Sequence, residues 1–301
     1  MPARPEARDW FSLLGLILLW GTSFLCISLS LESFSPPGIV AMRVLLAAIM
    51  LTLVVWLKRL PFPRDLRTWL LFGLLGIVGN LLPFYLISAG QQHVSSGIAG
   101  LLMAIMPLIT MLLAHYLIPG ETLNRYKLLG FSLGIIGVGI ILMPRVSPGG
   151  SSLSSSLLIL LAAGSYALNS ILIRRYSRSH VLVASAGVMI MASLMVVPVW
   201  LWQESPLQQT YSLKSLLALS WLGLGPTGIA TLLYFSVVAR AGPTFLANIN
   251  YFVPVVAYLT GALILGEPLE WHSLSALLLI IAGIGLTRRP PPATPWYHRQ
   301  V

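Results

Sequence analysis

Two asparagines and a tyrosine interrupt a long apolar run in the stretch ANINYFVPVV, residues 247–256. Within a membrane, such amides need partners in a helix interface or in a wet cavity. Pro254 has no backbone donor and frees the carbonyl of Asn250 four residues earlier, so side-chain and backbone polarity coincide. Helical spacing places Asn248 and Tyr251 on one face and Asn250 on another. We predict that all three residues contact a substrate; the alternative is that the amides only join neighbouring helices.

Further polar, aromatic and methionine side chains within apolar runs are predicted to line the same path. Aromatic faces can hold an apolar group or a cation, amides and hydroxyls can orient an amino or carboxyl group, and methionine forms an adaptable wall. These candidate substrate contacts are Trp20, Thr22, Ser23, Asn80, Tyr85, Met103, Met106, Tyr166, Asn169 and Tyr234. Pro107 and Pro254 are the predicted hinges of a gating motion. Ordinary packing explains the two methionines equally well.

Arg43 is a cation placed well inside an apolar run. A charge at that depth is costly, so we expect a structural role in which Arg43 pairs with a carbonyl or with Glu32, or snorkels outward. His115 is predicted to be a hydrogen-bonded packing residue, and the lone Cys26 is expected to pack without forming a disulfide.

The sequence lacks the residue patterns of an enzyme or a metal site. It has no H-E-x-x-H motif, and its eight acidic residues all fall in predicted loops, tails or helix ends. The stretch GFSLG at 130–134 matches the G-x-S-x-G hydrolase motif by chance, and we expect its glycines to pack helices closely. We predict no enzymatic activity, no cofactor, no metal, and no proton coupling through a buried carboxylate.

The amino-acid composition indicates whether water or lipid surrounds this chain. Hydrophobic residues make up 57% of the sequence, charged residues 9%, and the mean hydropathy is +0.88, which indicates an integral membrane protein. One spanning helix takes about 20 apolar residues. The apolar runs predict ten helices, near 10–31, 38–57, 68–88, 95–118, 126–143, 153–173, 181–202, 215–237, 243–265 and 272–287. The expected fold class is an all-α integral membrane protein with ten transmembrane helices.

The distribution of positive charge orients these helices. The net charge is +10, and most of the 18 Lys and Arg residues fall on one side of the ten predicted spans. They are Arg4, Arg8, Lys58, Arg59, Arg64, Arg67, Arg125, Lys127, Arg174, Arg175, Arg178, Arg240, Arg288, Arg289 and Arg299. By the positive-inside rule that side and both termini are cytoplasmic. We predict a multi-pass monomer of the cell inner membrane, with the lipid bilayer and a small-molecule substrate as partners and no nucleic acid.

Two stretches of the sequence resemble each other. IMPLITMLLAHYLIPGETL (105–123) is similar to FVPVVAYLTGALILGEPL (252–269), and their prolines and Gly-Glu pairs lie 147 and 146 residues apart. Because each half carries five predicted spans, an odd number, the halves must have opposite orientations in the membrane. We predict an inverted 5+5 repeat that divides the chain into residues 1–145 and 146–301.

These two stretches, together with LLWGTSFLCISLSLESFSPPGIVAMRVLLAAIML near the start, resemble the EamA family of the drug/metabolite transporter superfamily. The resemblance covers nearly the whole chain. It implies a ten-helix transporter with a central cavity between its halves, often an exporter of amino acids or other metabolites. Tyr166 stands where the family usually has a tryptophan, so the cavity wall there is expected to differ.

Charge narrows the class of substrate. A carrier of phosphates should have several cations in its cavity, and an exporter of lipophilic cations should have a central carboxylate. The predicted spans supply neither. We therefore predict export of small neutral or zwitterionic metabolites, chiefly amino acids, by alternating access through a central cavity. Efflux of lipophilic or aromatic cationic drugs is the alternative, and an intramembrane enzyme is a weaker one.

Overall fold

The computed structural model describes residues 5–145, 151–176 and 179–288, and within these ranges the chain forms helices and turns but no strand. The helices are α1 Ala7–Ser30, α2 Pro36–Leu57, α3 Leu66–Gly90, α4 Ser96–Leu117, α5 Arg125–Leu142, α6 Ser151–Tyr176, α7 Val181–Glu204, α8 Leu213–Leu246, α9 Ile249–Leu265 and α10 Trp271–Thr287. Helices α1–α8 are long and apolar enough to cross a membrane, and α9 and α10 are shorter apolar helices. Helices satisfy their backbone hydrogen bonds internally, as lipid requires. The predicted all-helical membrane fold is confirmed.

Two helices contain a π-helical turn, Ile77–Leu81 in α3 and Gly223–Ile229 in α8. A proline at or just after such a turn removes one α-helical donor and widens the backbone. Pro226 lies inside the second turn, where the hydroxyl of Thr227 donates to the freed carbonyl of Leu222 at 2.9 Å. Each turn rotates the side chains that follow it relative to a regular helix.

Helices α4 and α8 also change direction. Helix α4 is broken at residues 104–105, just before Pro107. Within α8 the helix is interrupted at Gly242, whose non-helical φ of 83° and ψ of 165° favour glycine, so two helices meet there and the second begins at Pro243. This interruption agrees with the boundary predicted between residues 237 and 243, and a second turn at residues 247–248 precedes α9.

The helices pack in pairs that join the two halves of the chain. Helix α2 packs against α7, α5 against α10 and α4 against α9, while α1 contacts α8 and α9, and α6 contacts α3 and α4. Glycines allow the closest approach, because a Cβ on Gly130 of α5 or on Gly283 of α10 would overlap the backbone of the other helix. The stretch GFSLG at 130–134 thus packs helices and lies on no strand–turn–helix elbow.

One end of the molecule, which we name the Ser35 end, consists of the connections 31–35, 91–95, 205–212 and 266–270. Contacts of the first connection with the third and with the start of α8 hold this end together. The Phe34 ring stacks on Tyr211 with centroids 4.1 Å apart, and Lys214 forms an ion pair with Glu32 at 2.6 Å. Both halves of the chain therefore meet at the Ser35 end.

The opposite end, which we name the Pro243 end, includes the connections 58–65, 118–124 and 243–248. Here Arg240 forms an ion pair with the buried Asp9 at 2.7 Å, and Arg174 with Glu121 at 2.8 Å. Four members of the predicted cluster of positive charge lie outside the described residues: Arg4, Arg178, Arg289 and Arg299.

Candidate functional site

A cavity of about 450 Å³ lies between α1–α4 and α6–α9, and no described residue of α5 or α10 lines it. Toward the Ser35 end its lining stops at Ile27, Ile87 and Gly100, all of them buried. At the other limit its lining includes Pro243, which is exposed. The cavity is therefore closed toward the Ser35 end and reaches the molecular surface at the Pro243 end.

Many of the predicted substrate contacts line this cavity: Trp20, Ser23, Asn80, Met103, Met106, Tyr166, Tyr234 and Asn250, together with the predicted hinge Pro254. The rings of Trp20 and Tyr234 have centroids 6.0 Å apart, and the Trp20 indole N–H donates to the carbonyl of Pro226 at 3.0 Å. That carbonyl belongs to the π-turn of α8, so the turn holds the indole ring in the cavity wall. The other predicted hinge, Pro107, follows the break in α4 and does not line the cavity.

Three predicted contacts on α1, α3 and α6 do not line the cavity. Thr22 donates its hydroxyl to the carbonyl of Leu18 at 2.7 Å within α1. Tyr85 is 45% exposed on the outer surface of α3, and Asn169 packs directly against Gly79 of that helix. Because neighbouring positions on a helix point about 100° apart, Thr22 faces away although Ser23 lines the cavity.

Asn248 and Tyr251 lie at the Pro243 end and contact α10 and the residue after it. Asn248 accepts a hydrogen bond from Arg288 at 3.0 Å, and the Arg288 guanidinium carbon lies 4.6 Å from the centroid of the Tyr251 ring. Asn250 lies on the other face and lines the cavity. The two amides of the stretch 247–256 therefore have separate surroundings, one in a helix interface and one at the cavity wall.

Sequence reasoning missed Arg43 as part of the cavity wall. This residue is 6% exposed, lines the cavity, and donates from Nε to the hydroxyl of Thr227 at 2.8 Å. Its guanidinium carbon lies 3.6 Å from the centroid of the Phe84 ring. Pairing of Arg43 with Glu32 was wrong, because Glu32 pairs with Lys214 at the Ser35 end. The sequence signal for a functional role was a cation deep within an apolar run.

The remaining wall is mostly apolar, with side chains such as Met189 and Val253 that no sequence pattern separates from core packing. Across the ranges that the structure describes, no acidic residue lines the cavity, and Arg43 is its one charged residue. The same ranges contain no cluster of His, Cys, Asp and Glu suited to a metal ion. The site can therefore bind a small molecule in a mostly apolar chamber.

The fold and the cavity define a multi-pass helical membrane protein with a chamber large enough for a small molecule. Comparison with known proteins identifies its family. The sequence model of the EamA-like transporter family matches residues 10–143 and 153–289. The chain belongs to the EamA-like transporter family, and the protein is a membrane transporter.

Individual relatives cover almost the whole chain. The uncharacterized inner membrane transporter YedA of Escherichia coli K12 is 29% identical, over 94% of this chain and 92% of YedA. A Salmonella typhimurium protein named as a probable amino-acid metabolite efflux pump is 25% identical, over 92% of this chain and 93% of that protein. A solved crystal structure matches with a TM-score of 0.67 at 20% identity, over 95% of this chain and 97% of that one. The last likeness is one of fold alone.

Proposed function

We propose that this protein exports small neutral or zwitterionic metabolites, chiefly amino acids, through its central cavity. The observation that carries the proposal is a chamber of about 450 Å³ that is closed toward the Ser35 end and open at the Pro243 end. Its wall combines aromatic faces, methionines, amides and hydroxyls, which suit a small molecule with an apolar side chain and polar ends. The Salmonella relative named as an amino-acid metabolite efflux pump supports this substrate class.

The proposed substrate contacts are the cavity-lining members of the predicted set. Trp20 and Tyr234 form one aromatic wall, and Tyr166 contacts Phe84 edge-on at 6.4 Å to form another. Ser23, Asn80 and Asn250 supply polar groups to the same cavity, and Met103 and Met106 add adaptable side chains to its wall.

An inverted repeat of two five-helix halves, divided after residue 145, fits this proposal. The family model matches the chain twice, once in each half. The π-turns begin at Ile77 and Gly223, and the glycines with positive φ in the two Gly-Glu pairs are Gly120 and Gly266, each set 146 residues apart. In such a repeat α1 corresponds to α6 and α9 corresponds to α4. The contact between α1 and α9 then has its counterpart in the contact between α6 and α4, and both occur in the structure. These features support ten membrane helices in halves of opposite orientation.

Transport in this proposal alternates the end from which the cavity is reached. Rocking of the halves would close the Pro243 end and open the Ser35 end. Pro254 lies inside α9 and Pro107 follows the break in α4, so both helices have weakened hydrogen-bond ladders where they would bend. No acid from the described part of the chain lines the cavity, so we propose movement of substrate down its own gradient without proton exchange.

The proposed location is the cell inner membrane, with the Pro243 end and both termini in the cytoplasm. The relative YedA is named as an inner membrane transporter, and the predicted side of high positive charge corresponds to the Pro243 end. In this orientation the cavity is open for loading substrate from the cytoplasm. One chain lines the whole chamber, which supports function as a monomer.

Efflux of lipophilic cations is the second candidate, and the aromatic pairs Trp20–Tyr234 and Phe84–Tyr166 favour it. The charge of the wall opposes it, because Arg43 lines the cavity and no acid of the described ranges does. A cation would therefore enter a chamber of like charge. We rank amino acids first for this reason.

The test is uptake of labelled compounds by proteoliposomes that contain the purified protein. We expect saturable uptake of at least one neutral amino acid, unchanged by a protonophore, and little uptake of tetraphenylphosphonium. Trp20→Ala should reduce uptake up to about tenfold, since an aromatic contact contributes roughly 0.5–1.5 kcal/mol. Tyr85→Ala is the matched control and should behave like the wild type, because Tyr85 does not line the cavity.

Selective uptake of tetraphenylphosphonium would overturn the proposal in favour of drug efflux. The orientation is tested by single cysteines in a Cys26→Ala background. An impermeant thiol reagent should label Ser35→Cys but not Arg64→Cys in intact cells, and the reverse result would invert the proposed topology.

A further inference from the structure

Arg43 is a buried cation without a counter-ion in the protein. The chain has eight acidic residues, all within the described ranges, and each has a partner elsewhere. The pairs are Glu6 with Arg8, Asp9 with Arg240, Glu32 with Lys214, Asp65 with Thr68, Glu121 with Arg174, Glu204 with Trp200, Glu267 with Ser96, and Glu270 with His272. A guanidinium removed from water without a counter-charge is strongly unfavourable. The protein therefore keeps an unpaired positive charge at its cavity wall.

Three neighbours hold the Arg43 guanidinium in place. Its Nε donates to the Thr227 hydroxyl at 2.8 Å, and that hydroxyl donates in turn to the carbonyl of Leu222 at 2.9 Å. Because the hydroxyl proton is committed to Leu222, its oxygen is fixed as the acceptor for Arg43. Phe84 supports the flat face of the guanidinium, with 3.6 Å from the guanidinium carbon to the ring centroid. The charge is thus pre-oriented before any substrate binds.

The outer end of the guanidinium remains unsatisfied. An arginine side chain has five N–H donors, of which Nε carries one and the two terminal nitrogens carry four. Over residues 5–145, 151–176 and 179–288, neither terminal nitrogen of Arg43 has a protein acceptor within hydrogen-bond distance. Two parallel N–H groups at such an end match the two oxygens of a carboxylate.

We propose that Arg43 binds the carboxylate group of the transported molecule, which makes the substrate class small carboxylic acids with an apolar side chain, amino acids among them. The inference rests on the proposed transport function and narrows its substrate. A single cation in the wall suits one carboxylate better than a phosphate, which draws on several cations. Asn80 and Thr231 line the same cavity and offer oxygens to an amino group, while Met103 and Val253 border the space for an apolar side chain.

The test compares four proteins and four related compounds in proteoliposomes. The proteins are the wild type, Arg43→Gln, Arg43→Lys and the control Arg8→Gln, since Arg8 lies in an exposed ion pair. Uptake of labelled L-phenylalanine is measured with unlabelled L-phenylalanine, 3-phenylpropanoate, L-phenylalaninamide or 2-phenylethylamine as competitor. The first two competitors carry a carboxylate and the last two lack one, whereas all four share the aromatic ring.

In the wild type and in Arg8→Gln, the two carboxylates should compete at least about tenfold better than the amide and the amine. Arg43→Gln should lose this preference, because its neutral amide cannot attract a carboxylate charge. Arg43→Lys should retain part of it, since lysine keeps the charge but not the paired donors. A wild type that accepts phenylalanine and phenylalaninamide equally, or an Arg43→Gln variant that keeps the preference, overturns the proposal.

Thermal unfolding of the detergent-purified protein separates binding from transport. 3-Phenylpropanoate should raise the melting temperature of the wild type and leave that of Arg43→Gln unchanged, because a ligand stabilises the state that binds it. Stabilisation without uptake of labelled L-phenylalanine would retain the Arg43 site and overturn the proposed export. Uptake of labelled L-phenylalanine without stabilisation by 3-phenylpropanoate would retain transport and overturn the Arg43 site. If Arg43→Gln does not fold, the Arg43→Lys variant decides the outcome through the same preference ratio.

Discussion

The two ends of the molecule differ because the cavity is closed at the Ser35 end and open at the Pro243 end. At the Ser35 end α4 and α9 cross so closely that a Cβ on Gly100 would overlap that of Ala257. At the Pro243 end the lining of the cavity includes the exposed Pro243. Close packing of α4 on α9 therefore accompanies the closed limit of the cavity.

The two Gly-Glu pairs show the same contrast in hydrogen bonding. Glu267 accepts from the backbone N–H groups of Ser96 and Gly97 at 2.7 and 2.8 Å, and so caps the start of α4. Glu121, its counterpart, instead pairs with basic side chains. With the 147-residue offset of Pro107 and Pro254, the residue that corresponds to Ser96 is Pro243, which has no N–H to donate. The same pair of hydrogen bonds therefore cannot form at the Pro243 end.

The largest effect on this contrast is expected from Gly100→Leu, which places a large side chain at the close contact of α4 with Ala257. Overpacking of a close contact costs about 1–3 kcal/mol. We expect at least tenfold slower uptake, and faster labelling of an Ile27→Cys reporter by an impermeant thiol reagent in intact cells carrying Cys26→Ala. Ile27 is 1% exposed and lines the closed limit of the cavity, so it reports on opening of that end.

Gly139→Leu is the matched control, because no atom outside its own helix neighbourhood lies within 4 Å of a Cβ at that position. It should leave uptake and Ile27→Cys labelling unchanged. Wild-type labelling in Gly100→Leu would show that residue size does not close the Ser35 end.

A smaller effect is expected from Glu267→Gln, which keeps the shape of the side chain but removes its charge. Hydrogen bonds to a charged acceptor contribute about 1.5–3 kcal/mol and neutral ones about 0.5–1.5, so the difference is about 1 kcal/mol. Labelling of the Ile27→Cys reporter should rise roughly fivefold. Glu121→Gln should not raise it, since Glu121 lies at the other end; equal effects of the two variants would contradict a cap that acts at the Ser35 end only.

The smallest effect is expected from Lys214→Ala at the Ser35 end. The side chains of this ion pair are 57% and 44% exposed for Lys214 and Glu32, and exposed pairs contribute about 0–1 kcal/mol, less in salt. Uptake should change less than about threefold, and 0.5 M salt should remove most of the difference from the wild type. A change as large as that of Gly100→Leu would mean that charge, not close packing, seals this end.

The helices themselves were predictable because apolar length and charge breaks are local properties. The predicted segment 38–57 agrees closely with Pro36–Leu57, and the structure also has a helix wherever a long apolar run occurs within the described ranges. The π-turns of α3 and α8 were not predictable, because hydropathy does not show which backbone carbonyl accepts the hydrogen bond of each backbone N–H group. The geometry of the interruption at Gly242 depends on a positive φ that other residues rarely adopt.

The candidate site was predictable in kind and only partly in its members. Amides, hydroxyls and aromatics stand out in an apolar sequence, which is why Trp20 and Asn80 were named in advance. Tyr85 stands out equally but faces outward. Lipid is as apolar as a protein core, so polarity alone does not tell a lipid-facing side chain from one that faces a cavity.

The sequence by itself determined that this chain is a helical membrane protein, because the length of its apolar runs and the positions of its charges are local properties of the sequence. Only the tertiary structure decided which end is closed, because closure requires Gly100 and Ala257 to come from helices distant in sequence. It also placed Arg43 in the cavity wall. A charge becomes a candidate binding site when every acid that could neutralise it is paired elsewhere in space, and spacing along the chain does not reveal those pairings.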